Sequence, residues 1–174
     1  PDATDLYGYS GNPNLEPEES ISHEIGFKTI TSFGDFSVSY FNNDIDNLIE
    51  SDGTKMQNIN KAEIKGVELD FSTTLNNGID YNLKYTYQEP DDLTNDTLLS
   101  RRARNKFVSV LSKTFSDSDI LKLTVTGQSR RDNSIYDGHR LGGYALFDIN
   151  YLTNIADYQV GIKMNNIFDK KYRL

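Results

Sequence analysis

The sequence predicts an all-β fold, specifically an antiparallel transmembrane β-barrel segment of about eight up-and-down strands. Two observations predict it. Apolar and polar residues alternate in eight stretches, and a period of two places successive side chains on opposite faces of a sheet. The gaps between the stretches alternate between short and long. We therefore expect short periplasmic turns and long extracellular loops, as in barrels whose strands cross a membrane in both directions.

The clearest stretch runs from Ile79 to Gln88, where Ile, Leu and Tyr residues interleave with Asp, Asn, Lys, Thr and Gln. The stretch 105–115 is ambiguous, because Val108, Val110 and Leu111 allow either face to be apolar. The eight stretches are 23–28, 36–40, 67–72, 79–88, 105–115, 121–126, 145–151 and 158–165.

The connections divide into two kinds. Four are short and carry Gly, Asn, Asp or Ser, the residues that favour turns: 31–34, 76–78, 116–118 and 153–156. Three are long polar excursions: 51–62, 89–104 and 131–142. A soluble β-sandwich has no reason to keep its short turns at one end, whereas a barrel in an outer membrane does.

Composition excludes several functional classes. The net charge is −8, which argues against a nucleic-acid partner, because such partners are bound by Lys and Arg. The absence of cysteine excludes disulfides and thiolate chemistry. Two histidines without a Gly-x-Ser-x-Gly turn suggest no catalytic triad, so we expect a protein that is not an enzyme and uses no cofactor. The mean hydropathy of −0.60 still fits a barrel, since only alternate strand residues face lipid.

Four segments in register resemble the TonB-dependent outer-membrane receptors. They are Asp5–Gly8 with Gly11–Glu18, which contains Asn-Pro-Asn-Leu-Glu-Pro-Glu; Tyr40–Ile49; Ala62–Glu68; and Asn165–Tyr172. Together they cover essentially the whole chain. Within the family the chain most resembles the vitamin B12 (cobalamin) receptors, partly through Leu98–Arg104. Receptors for siderophores share most of these features.

The resemblance implies a receptor in the outer membrane of a Gram-negative bacterium, whose barrel of about 22 strands is plugged. Residues 1–174 would then be a partial barrel that lacks the plug domain and the closing strand. The implied partners are a small-molecule nutrient, outer-membrane lipid and lipopolysaccharide, and TonB, which is reached through a missing N-terminal region.

Candidate ligand-binding residues lie around the third long excursion. Arg130, Arg131, His139 and Arg140 would meet an anionic ligand or lipopolysaccharide phosphate, because guanidinium forks suit such groups. Alternatively they are rim charges that balance acidic loops, and Arg101, Arg102 and Arg104 carry the same two interpretations. Tyr136 and Tyr144 are the best single candidates for ligand contact, as amphipathic aromatics beside this loop.

Three other groups of residues have predicted roles. The segment 12–18 carries two prolines, which favour a structural role at the entry to a strand over ligand contact. The acidic runs around Asp52 and Asp92 lack the spacing of a calcium loop and are expected to be solvated surface, with no metal site. Polar residues of the inner face would form paired charges that hold a removable plug: Lys84, Glu68, Asp70, Lys122 and Lys163.

The leading functional hypothesis is active uptake of a scarce, bulky nutrient, for which we expect a cobalamin-like corrinoid, energised through TonB. The alternatives are a siderophore receptor of the same family, a passive eight-strand barrel or porin, and a soluble β-sandwich binding module.

Overall fold

The computed structural model describes residues 1–116, 118–133 and 138–173. It is built almost entirely of strands. The elements are α1 (Ala3–Tyr7), β1 (Glu19–Thr31), β2 (Gly34–Ser51), β3 (Met56–Thr74), β4 (Ile79–Asp92), β5 (Thr97–Leu98), β6 (Asn105–Thr114), β7 (Ile120–Gln128), β8 (Arg131–Asp132), β9 (Arg140–Leu141), β10 (Tyr144–Ile155) and β11 (Tyr158–Met164). Within the described residues no helix is long and apolar enough to cross a bilayer.

Eight long strands form one sheet in the order β1-β2-β3-β4-β6-β7-β10-β11, with every neighbouring pair antiparallel. The two-residue strand β5 pairs with β4, and β8 pairs with β9 in a separate ribbon. These eight strands match the eight predicted stretches, including the ambiguous one. A single meandering sheet confirms the predicted barrel-segment class and differs from the two packed layers of a sandwich.

Four short turns lie at one end of the sheet. Consecutive long strands run in opposite directions, so the connections β1–β2, β3–β4, β6–β7 and β10–β11 lie at the same end of the sheet. The first is the two-residue turn Ser32–Phe33, and the last is Ala156–Asp157. The opposite end, here called the long-loop end, carries the long connections β4–β6 and β7–β10, as predicted, together with the four-residue β2–β3 turn 52–55.

The prediction of a long polar excursion over 51–62 is wrong. Strands β2 and β3 continue as a ladder as far as the pair Ser51 and Met56. Leu48 and Ala62, which lie on this extension, pack against Leu99 of the next connection, and all three side chains are at most 5% exposed. Burial of this apolar cluster stabilises the extended hairpin well beyond the predicted strand ends.

One face of the sheet is apolar across all eight strands, and we call it the apolar face. The register sets Val38 opposite Leu69, Leu69 opposite Tyr85, and Tyr85 opposite Phe107. Further members in the later strands are Leu111, Leu121, Leu123, Val125, Phe147, Ile149, Val160 and Ile162. Many side chains of the apolar face are exposed. One of them is Ile25 of β1, which lies opposite Tyr40 and is 74% exposed. The opposite side, the polar face, carries the alternate residues.

The ambiguous pattern of β6 has a simple structural basis. Phe107 and Leu111 lie on the apolar face, while Val108 and Val110 pair with Lys84 and Asn82 on the polar face. A strand with apolar residues on both faces gives no clear alternation, although it forms a regular ladder.

The N-terminal segment is held against the long-loop end. The Met56 amide donates to the Ser10 carbonyl (2.8 Å), and Asn12 Nδ2 donates to the Met56 carbonyl (3.0 Å). The Ile49 amide donates to Glu18 Oε1 (2.7 Å). Strand β1 starts two residues after Pro17. This placement gives the segment 12–18 a structural role, as the two prolines predict.

Candidate ligand-binding site

A cavity of about 270 Å³ at the long-loop end is lined by five arginines, and we call it the arginine cavity. Its lining comes from three separate parts of the chain. The lining residues are Leu98, Leu99, Arg102, Arg104, Asn105, Ser129, Arg130, Arg131, Asp132 and Arg140.

Backbone hydrogen bonds bring these parts together. The Gln88 amide donates to the Arg104 carbonyl (2.8 Å), and the Ser129 amide donates to the Asn105 carbonyl (2.9 Å). These bonds extend the β4–β6 and β6–β7 ladders by one residue each. The Arg101 amide donates to the Asp132 carbonyl (2.7 Å), so the connection after β4 lies directly beside the ribbon β8–β9.

Most of the positive charge of the cavity has no carboxylate partner among the described residues. Arg140 pairs with Asp132, with 3.0 Å between Nε and Oδ1. Arg102, Arg104 and Arg130 have no ion pair within the described part of the chain. Five arginines and one aspartate therefore line one cavity of a chain whose net charge is −8.

Arg131 is the most buried charge of the cavity. It is 6% exposed, and its Nη2 donates to the Arg173 carbonyl (2.8 Å). Its Nη1 and the Nε of Arg102 are buried donors that have no acceptor among the described residues. A guanidinium stays protonated in proteins, and a buried charge without a counter-charge is costly. The cavity is therefore suited to an anion.

Three of the predicted ligand residues come together here. Arg130, Arg131 and Arg140 line the arginine cavity beside Arg102 and Arg104. Arg101 was also considered either as a ligand residue or as a rim charge. It is exposed and does not line the cavity.

The other predicted ligand residues do not line the cavity. Tyr144 lies opposite Gln128 in the β7–β10 ladder, and its ring packs on Tyr172 with centroids 4.5 Å apart. His139 is exposed, and its carbonyl accepts the Asn133 amide (2.9 Å). Tyr136 lies outside the described residues.

Sequence reasoning missed Asn105 and Ser129, which complete the lining between the arginines. The Asn105 amide also donates to Ser129 Oγ (3.1 Å). The sequence did contain a signal for this pairing. Asn105 and Ser129 are equally distant from the centre of the β6–β7 turn, and so are Arg104 and Arg130. In an antiparallel hairpin such residues face each other, so the two arginines could have been placed together from the sequence.

The polar face carries the predicted charges in the neighbourhood of a second cavity, of about 230 Å³. Lys84 Nζ lies 3.3 Å from Asp70 Oδ1, and Lys28 and Asp35 line the same space. The remaining predicted members lie on this face too: Glu68 opposite Thr86, and both Lys122 and Lys163 opposite Asn150.

Two aspartates from the acidic runs cap local turns. Asp52 Oδ1 accepts the amides of Thr54 and Lys55 (both 2.8 Å), and hydrogen bonds from Thr54 hold the pKa of this carboxyl below its ordinary value. Asp92 accepts the amides of Thr94 and Asn95 (2.9 and 3.0 Å). Across the described ranges no group of three or more acidic or histidine side chains is arranged to hold a metal ion.

Comparison with known proteins agrees with this architecture. Residues 1–170 match the family described as "TonB dependent receptor-like, beta-barrel". The vitamin B12 transporter BtuB of Vibrio vulnificus (strain YJ016) is 32% identical to this chain over 184 residues, which cover 99% of this chain and 29% of that protein.

Two solved receptors share the fold. The ferric enterobactin receptor PfeA of Pseudomonas aeruginosa superposes with a TM-score of 0.77 at 23% identity, over 92% of this chain and 27% of its own. The ferric yersiniabactin uptake receptor FyuA of Yersinia pestis gives a TM-score of 0.72 at 20% identity, over 90% and 26%. The chain thus spans less than a third of the length of each of these relatives. The chain belongs to the TonB-dependent receptor family, and its strands form part of that family's β-barrel.

Proposed function

We propose that this chain is part of the barrel wall of an outer-membrane receptor that takes up a cobalamin-like corrinoid. The observation that carries the proposal is the 32% identity to a vitamin B12 transporter along 99% of the chain. Among the relatives described above, the two siderophore receptors are 23% and 20% identical. The relatives are transporters and receptors, which supports a role in transport and not in catalysis.

The two faces of the sheet support a place in the outer membrane of a Gram-negative bacterium. A strand that crosses a membrane needs about 9–11 residues, and β6, β7 and β10 have 10, 9 and 12. We propose that lipid and lipopolysaccharide surround the apolar face and that the polar face lines the lumen. Aromatic residues occur toward both ends of the apolar face, as in the girdles of outer-membrane barrels: Phe36, Phe71, Tyr81 and Tyr158 near the short turns, and Tyr40, Tyr85, Tyr87 and Phe107 nearer the long-loop end.

The rest of the receptor would supply further barrel strands, a plug domain and a segment that engages TonB. Strands β1 and β11 are the outermost strands of the described sheet, and an unpaired strand edge is a site for pairing with another strand. We propose that further barrel strands, including a closing strand, pair with these edges. A plug domain would fill the lumen, and a segment N-terminal to that plug would engage TonB.

Ligand contacts in this part of the receptor would come from the arginine cavity and its surroundings. Arg130, Arg131 and Arg140 are the proposed contacts within the cavity. Tyr136, Tyr144 and His139 are proposed contacts from the same loop region, and their role rests on that location.

A siderophore is the second candidate ligand. The arginine cavity favours it, because siderophores present carboxylates or other anionic oxygens that guanidinium groups bind well.

An uptake experiment separates the two ligands. The full-length receptor is produced in a strain without its own corrinoid and siderophore receptors, and uptake of cobalt-labelled cyanocobalamin is measured. We expect saturable uptake that stops when the proton gradient is dissipated. Uptake of iron-labelled siderophore without cyanocobalamin uptake would contradict the corrinoid proposal. Uptake that survives loss of the gradient would contradict active transport and favour a passive barrel.

A further inference from the structure

We propose that the arginine cavity is an anion subsite that takes a phosphate or a similarly compact oxyanion carried by the transported nutrient. The inference rests on the proposed function, since it concerns the ligand of that same receptor. The inference specifies which chemical group of the transported nutrient binds to this part of the barrel wall.

Charge is the first argument. The chain as a whole is acidic, with a net charge of −8, yet five arginines and one aspartate line the cavity. That carboxylate, Asp132, is already paired with Arg140. Four arginines remain without a carboxylate partner among the described residues. Arg104 and Arg130 are exposed, so an anion would stabilise chiefly the buried charge of Arg131.

Burial is the second argument. Arg131 is 94% buried. Among the described residues its side chain donates one hydrogen bond, to the neutral carbonyl of Arg173. Its Nη1 and Arg102 Nε have no acceptor among the described residues. Buried polar atoms are almost always hydrogen-bonded, so two unused donors beside one cavity indicate an absent acceptor.

Geometry is the third argument. Arginines from two chain segments, 102–104 and 130–131, line the same space as Arg140. Arginine donates two parallel hydrogen bonds to phosphate or carboxylate oxygens, and a multivalent oxyanion can accept from several such groups at once. The volume of about 270 Å³ leaves room for a phosphate together with atoms bonded to it.

A carboxylate from another part of the receptor is the competing source of the negative charge. Among the described residues, the carboxylate with an unused buried oxygen is Glu50, which accepts the Ser100 amide (3.1 Å) and does not line the cavity. The cavity also lies at the long-loop end, which in the proposed orientation faces the medium from which the ligand comes. These observations favour a ligand-borne anion.

The test uses inorganic pyrophosphate as the probe and the full-length receptor purified in detergent. Binding is measured by isothermal titration calorimetry for the wild type, for Arg102→Gln, and for Arg101→Gln as the matched control. Arg101 is the neighbouring residue with the same charge but lies outside the cavity lining. Arg102→Lys is the second variant, because it keeps the charge and removes the fork.

We expect saturable pyrophosphate binding whose affinity falls as the salt concentration rises. The affinity should be at least tenfold lower in Arg102→Gln and should change less than twofold in Arg101→Gln. Arg102→Lys should fall between the wild type and Arg102→Gln. If the wild type binds no pyrophosphate, a carboxylate of the receptor already fills the cavity and the proposal is overturned. Equal weakening in Arg101→Gln would reveal diffuse surface attraction and would also overturn it. Cyanocobalamin binding, measured on the same samples, reports separately on the proposed function.

Discussion

Asn58 and Glu16 hydrogen-bond to each other in both directions, although 42 residues separate them. The Glu16 amide donates to Asn58 Oδ1 (2.9 Å), and Asn58 Nδ2 donates to the Glu16 carbonyl (3.0 Å). Asn58 Nδ2 also donates to the carbonyl of Asn47 (2.7 Å), whose φ of 56° marks a break in the regular strand. One amide side chain thus joins the N-terminal segment to both strands of the long β2–β3 hairpin.

Replacing Asn58 with Ala should release this segment. A net hydrogen bond contributes about 0.5–1.5 kcal/mol, so the loss of three should raise local opening by tenfold or more. Hydrogen exchange followed by mass spectrometry on the full receptor should show faster exchange of the amides of Glu16 and Ile49, with β6 and β7 unchanged. Asn77→Ala, in a short turn at the other end of the sheet, is the control. Unchanged exchange in Asn58→Ala would show that the other hydrogen bonds, from Met56 to Ser10 and from Ile49 to Glu18, hold the segment without Asn58.

The turn between β6 and β7 should weaken in acid. Hydrogen bonds from Ser116 Oγ (2.6 Å), Thr153 Oγ1 (2.6 Å) and Tyr151 Oη (2.9 Å) hold the pKa of Asp119 below its ordinary value of 3.8. Its stabilising contribution is present above pH 3.8 and is lost as the pH falls through the lower pKa of the folded state.

Asp119→Asn should therefore lower the Tm at pH 6, and the difference from the wild type should shrink below pH 3.8. Circular dichroism of the receptor in detergent between pH 6 and 2.5 measures this. Asp157→Asn, in the neighbouring short turn, is the matched control and should change the Tm little at any pH. A difference that stays constant with pH would contradict the assigned titration.

Gly66 should tolerate no side chain. A Cβ there would overlap the carbonyl oxygen of Tyr87 and approach Phe41 Cζ to 2.8 Å. Overpacking of this kind costs about 1–3 kcal/mol, so Gly66→Ala should lower the free energy of unfolding in urea by that amount. Gly161→Ala is the control, because its Cβ would meet only Leu152 Cδ1, at 3.4 Å, and the backbone oxygen of Tyr151, at 4.0 Å. Equal stability of the two variants would show that the sheet relaxes around Gly66.

Charges on the polar face should hold the proposed plug. Reversing both Glu68 and Asp70 to Lys would remove the partner of Lys84, whose Nζ lies 3.3 Å from Asp70 Oδ1, and would place like charges on adjacent strands. We expect the plug to loosen and the ionic leak of the full receptor in planar lipid bilayers to rise. Asp157→Lys, at the short-turn edge, should leave the leak unchanged. No rise in the double variant would count against a charged plug interface.

The alternation of residues was sufficient to predict the eight strands and the faces of seven of them, whereas the pattern of β6 left its apolar face open. Side-chain direction in a strand is local, so the run from Tyr81 to Tyr87 predicts its own apolar face without knowledge of its neighbours. Turn residues likewise predicted the four short connections. The failure over 51–62 has a non-local cause, because Leu48 and Ala62 are buried by Leu99, which comes from another connection.

The sequence by itself therefore determined the fold class, the order of the strands and, except in β6, the residues that face each side of the sheet. Only the tertiary structure decided that Arg102, Arg131 and Arg140 share a cavity with Arg104 and Arg130. It alone also decided that Arg131 is buried against the Arg173 carbonyl and that Tyr144 packs on Tyr172. The physical reason is that strand patterns follow from backbone geometry within a few residues, whereas a site at the loop end depends on how segments distant in the chain pack together.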